Sequence, residues 1–67
     1  MNVTDNIKKG KLIGFTIRGI SNEAQLEQVL EIINEAKCTY EMKDNFTSYV
    51  VRGDVKQLEK FTILWNK

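Results

Sequence analysis

Sixty-seven residues with 42% hydrophobic and 28% charged content describe a single ordinary globular domain, too short for a second one. With no histidine, one cysteine and no proline, the chain lacks the partners for a Ser-His or Cys-His nucleophile, an intramolecular disulfide or a Cys/His zinc site. The net charge of +1 gives no field for nucleic acid, and no stretch approaches the ~18 consecutive apolar residues of a membrane span.

Residues 1–10 are polar, end in Lys8-Lys9-Gly10 and are expected to form an N-terminal tail, leaving residues 11–67 as one small α+β domain. From Lys11 to Arg18 the pattern alternates, with Ile13, Phe15 and Ile17 on one side and Leu12, Gly14, Thr16 and Arg18 on the other. That is a half-buried strand, ended by Gly19.

Asn22 and Gln25 have capping-box spacing, with Ser21 a competing N-cap. Leu26, Val29, Leu30 and Ile33 then recur at helical intervals, widened by Ile32 and Ala36, as far as Lys37. Residues 38–43 and 46–52 predict a hairpin turning at Asp44-Asn45, which places Lys43 opposite Phe46, Met42 opposite Thr47, Tyr40 opposite Tyr49 and Cys38 opposite Val51. After Gly53, Asp54 and Gln57 repeat the capping-box spacing, and Val55, Leu58, Thr62 and Trp65 share a helical face with Phe61 beside it. A strand over residues 61–66 is the rival, disfavoured because no turn residue between Lys60 and Thr62 reverses the chain.

The order β-α-β-β-α, with its right-handed crossover, predicts a split-βαβ sheet: a ferredoxin-like arrangement lacking the fourth strand. Its three antiparallel strands carry two helices on one face, and the edge of the first strand is open. The segment Gly10-Lys11-Leu12-Ile13, the amphipathic helix, and Tyr49-Val50-Val51-Arg52-Gly53-Asp54 leading into a helix resemble ACT-like regulatory domains, including the NIL type, over residues 10–64. That resemblance implies a small-metabolite sensor whose ligand sits at a dimer seam near Gly19, Ile20 and Ser21.

The residues themselves point first to contacts with a partner. Glu23, Glu27, Glu31 and Glu35 form an acidic row at i, i+4 spacing on the first helix, mildly destabilising in itself and suited to a basic partner. Its plainer reading is a solvated face, offset in part by Lys56 and Lys60. The uncovered sheet face offers Leu12, Thr16, Phe46 and Val50, framed by Arg18, Lys43 and Arg52. It has too few aromatics for an RNA platform. Ile63 points away from Trp65 on the last helix, toward a dimer contact or a partner. Cys38 reads as a buried structural thiol.

These features lead to a non-catalytic protein–protein interaction module. It is expected to be a homodimer and a small regulator or inhibitor that acts by docking, of the kind a mobile genetic element encodes. No cofactor or metal is expected, and neither a membrane nor a nucleic acid as partner. The absence of basic and apolar signal-peptide regions after Met1, with the lone thiol, predicts a cytoplasmic setting. Two Asn-x-Thr triplets, at Asn2 and Asn45, are then chance matches.

Overall fold

The computed structural model describes residues 1–45 and 47–67, and it opens on a hairpin where a tail was expected. Strand β1 (Asn2–Lys8) pairs antiparallel with β2 (Lys11–Arg18). The turn is Lys9-Gly10, with φ of 52° and 75°. Two successive left-handed residues make the primed turn whose twist matches that of antiparallel strands. Val3 packs against the core from β1, opposite Ile17. Apart from Ile7, which is 65% exposed, the remainder of β1 is polar, because an edge strand buries little.

The register of this hairpin slips once. Pairing runs from Asn2 with Arg18 to Asn6 with Gly14, then resumes at Ile7 with Leu12, so Ile13 is an extra residue on β2. A bulge of this kind re-phases everything beyond it, because each one-residue slip turns a side chain to the other face. Leu12 is thereby carried from the open side of the sheet to the side of the helices.

The chain continues through α1 (Glu23–Ala36), β3 (Thr39–Lys43), β4 (Ser48–Arg52) and α2 (Val55–Trp65). The sheet order is β1-β2-β4-β3, with every neighbouring pair antiparallel. Strand β4 therefore inserts between β2 and β3, as the split-βαβ reading requires. The three-stranded sheet is corrected to four strands: the fourth strand exists, but it comes from the N-terminal side as β1 and occupies the edge of β2 that was expected to be open. Residues 61–65 belong to α2, not to a strand.

The second hairpin also departs from its expected register. Lys43 pairs with Ser48, Met42 with Tyr49 and Tyr40 with Val51, leaving residues 44–47 between the paired positions. Asp44 and Asn45 both have positive φ, and the backbone carbonyl of Asp44 accepts from the Thr47 amide at 3.2 Å and from its hydroxyl at 2.6 Å. The shift is by two residues, which conserves side-chain faces. Tyr40 and Tyr49 are diagonal rather than opposite, yet their rings still meet edge to face at 5.6 Å.

Both helices are capped as their spacing predicts. The Gln25 amide donates to the Asn22 side chain at 2.9 Å, and Asp54 and Gln57 form the reciprocal box at 2.8 Å each way. The Gln57 side-chain amide also donates to the Lys37 carbonyl, tying the start of α2 to the end of α1. Between sheet and helices lie Phe15, Ile17, Tyr49 and Val51 against Val29, Ile33, Ala36, Leu58 and Phe61. Phe61 stacks on Phe15 at 5.0 Å and on Trp65 at 5.7 Å.

Candidate functional site

Cross-strand pairing puts Thr16, Arg18, Val50 and Arg52 on the sheet face opposite the helices, as expected. Two members of the expected patch are not among them. Leu12 has turned to the helix side through the bulge, and Phe46 lies outside the described residues. What shares the face instead is polar: Thr4 and Asn6 from β1 and Thr39, Glu41 and Lys43 from β3, with Ser48 of β4 on the same side but buried. The Thr16 hydroxyl donates to Asn6 Oδ1 at 3.1 Å, and the Thr39 hydroxyl to the Arg52 carbonyl at 3.2 Å. Among the described residues Val50 is the one large apolar side chain here, so this is a wetted face rather than an apolar one.

Glu23, Glu27, Glu31 and Glu35 are all exposed on α1. Residues four apart on a helix are offset by about 40°, so the row winds around α1 instead of running straight along it. Glu27, Glu31 and Glu35 border a shallow hollow floored by Leu30. Among the described residues the one ion pair is Lys43 with Glu41, at 3.8 Å on the surface. Neither Lys56 nor Lys60 forms an ion pair with the row.

A further concave feature is not signalled by the apolar residue pattern. A groove of about 770 Å³ runs between the start of β2 and the first turns of α2. Its apolar wall is Leu12, Ile13, Val55 and Leu58, and Lys11, Asp54 and Glu59 supply its charged lining. Leu58 is buried, whereas Leu12 and Ile13 are 38% and 39% exposed and Val55 is 67% exposed. Val55 is thus a surface residue, although its helical spacing placed it with the core. The bulge makes the groove, since without the extra residue Leu12 faces the opposite side of the sheet. Gly14 was the available signal, because an isolated glycine inside a strand marks a bulge or a close backbone approach. Ile63 is exposed on α2 as expected, but it lies outside this groove.

The loop at Gly19, Ile20 and Ser21 is occupied by its own residues. Ile20 is buried and its amide donates to the Thr47 carbonyl at 3.2 Å. The Ser21 amide and hydroxyl both donate to Gln25 Oε1, at 2.9 and 3.0 Å. These bonds engage the Ile20 amide and the Ser21 amide and hydroxyl within the chain itself.

Cys38 sits partly buried beneath the start of α2, with its thiol directed at the Gln57 carbonyl 3.7 Å away. Burial first, and the Asp54 carboxylate second, push this thiol above its ordinary value. The folded state therefore prefers the protonated form. That contribution to stability is complete below the thiol range, near pH ~8.5, and is lost as pH rises through the folded value. Iodoacetamide at pH 8 is expected to alkylate Cys38 several-fold more slowly in the folded chain than in urea; equal rates contradict the placement.

No helix is long and apolar enough to cross a membrane, and the described residues contain no cluster of metal-binding side chains. No family model, no curated protein and no solved structure matches the chain.

Proposed function

We propose that this chain is a non-catalytic protein–protein interaction module, a small regulator or inhibitor that acts by docking on a partner protein. The groove between β2 and α2 carries this reading. Three large aliphatic side chains, Leu12, Ile13 and Val55, stay in solvent beside a concavity that has a charged lining and an apolar wall. Contiguous apolar surface framed by charge is what interfaces use, and exposing it brings no benefit to the isolated fold. The matching partner segment presents an aliphatic or aromatic anchor to the wall, with an acidic group near Lys11 and a basic one near Glu59. The unpaired row on α1 is a second contact for a basic surface, held at a small cost in helix stability.

Val55→Glu tests the groove without touching the core. The variant is expected to keep the parent's melting curve within ~0.5 kcal/mol while its affinity for a partner captured by the parent protein falls at least about tenfold, ~1.4 kcal/mol. Glu27→Lys with Glu31→Lys tests the row in the same assay. Undiminished binding by Val55→Glu overturns the groove as the docking site.

A further inference from the structure

We infer that β3 is a self-pairing edge, and that two copies of this chain join β3 to β3 antiparallel into one continuous eight-stranded sheet. The four-stranded sheet has two edges, β1 and β3, and they are built differently. On β1, Asp5 lies opposite Phe15 and so faces the helix side. An inward-pointing charge of this kind deters an incoming strand, because pairing there takes the carboxylate out of water. Strand β3 has no such guard. All five of its residues are exposed, and Tyr40 and Met42, on the helix side, are 45% and 48% exposed without a further strand to cover them.

The charges on the other side of β3 select both the partner and the register. In a symmetric antiparallel pair the two-fold axis must pass through a residue, since facing residues point their backbone groups the same way. An axis at Glu41 sets Glu41 against its own copy, a like-charge contact. An axis at Tyr40 leaves Lys43 beyond the paired segment and sets Glu41 against Thr39. An axis at Met42 pairs residues 41–43 alone, sets Glu41 against Lys43 of the second copy, twice, and packs Met42 on Met42, with Tyr40 flanking it on the helix side beyond the paired residues. A strand reading Glu-Met-Lys is complementary to itself in that register alone. The exposed surface pair Glu41–Lys43 within one chain is then exchanged for two cross-strand pairs. This inference concerns a different surface from the groove, so either can fail without the other.

Charge reversal tests it. Sedimentation velocity is expected to show a reversible dimer at micromolar to sub-millimolar concentration, as fits a short interface. Glu41→Lys or Lys43→Glu each makes two like-charge contacts and is expected to weaken the dimer by about tenfold. The double variant carrying both is expected to restore it. In a Cys38→Ser background, Met42→Cys is expected to form a disulfide-linked dimer faster than Glu41→Cys or Lys43→Cys. Because the β3 positions are exposed, each variant is expected to keep the parent's circular dichroism spectrum. A chain that stays monomeric at millimolar concentration overturns the inference. So does a dimer indifferent to the single reversals, or one that the double variant fails to restore.

Discussion

Replacing Phe61 by alanine is expected to leave most of the chain unfolded at 25 °C. Phe61 is 1% exposed and stands between Phe15 and Trp65, nearly parallel to both. It is the side chain through which α2 grips the β1–β2 half of the sheet. Truncating a buried phenylalanine costs about 3–5 kcal/mol in lost transfer energy and residual cavity. A single small core without disulfide or metal rarely supplies more than about 3–5 kcal/mol in total. The loss and the reserve are therefore of the same size. Urea unfolding followed by circular dichroism measures it, with Phe61→Leu as the volume-preserving control that retains a folded baseline. A loss below about 1 kcal/mol contradicts the placement of Phe61 in the core.

Gly14→Ala is expected to be the next most damaging change, although it adds only a methyl group, because Gly14 is buried within a central strand. A Cβ built on Gly14 falls on the carbonyl oxygen of Val51 and 3.3 Å from the Cα of Arg52. Both obstacles are backbone, so no rotamer change relieves the overlap. Strands β2 and β4, the two central strands, have to part where they are paired. The expected cost is about 3 kcal/mol or more, within the range of strain and overpacking effects. Gly10→Ala is the contrasting case. Nothing lies within 4 Å of its added Cβ, and the cost arises from its φ of +75° alone, about 1 kcal/mol. Thermal melts of the two variants should separate clearly, with Gly14→Ala the lower. The reverse order rules out the close approach of β2 to β4.

Much of the fold is legible in the residues because several local signals agree. Strand β2 shows its alternation from Lys11 to Arg18, and α1 and α2 announce themselves by Asn22 and Asp54 with glutamine three positions on. The insertion of β4 between β2 and β3 follows from element order and crossover handedness. Strand β1 is harder to see. Its alternation of Val3, Asp5 and Ile7 has a carboxylate in the middle, because an edge strand tolerates there what a central strand does not. Its turn is Lys9-Gly10, not the Asn-Gly pair that marks a tight hairpin.

The candidate site was less legible for a related reason. Strict alternation assigns Leu12 to the open face, and only a tertiary feature, the unpaired Ile13, moves it beneath α2. Helical spacing likewise groups Val55 with Leu58 and Thr62, yet a residue in the first turn of α2 overhangs the end of the sheet and stays in solvent. Alternation assigns Thr16, Arg18, Val50 and Arg52 to the face they occupy, but the hydroxyl and amide groups contributed by β1 and β3 change its character from apolar to polar.

Methyl-resolved nuclear Overhauser spectroscopy on Leu12 reaches the root of this account, since the re-phased bulge creates the docking groove. Cross-peaks from the Leu12 methyls to Leu58 or Thr62 of α2 are predicted. Cross-peaks to Asn6 and Arg52, the open-face neighbours on either side of Gly14, instead contradict it, because they return Leu12 to the far side of the sheet and leave the groove without its wall.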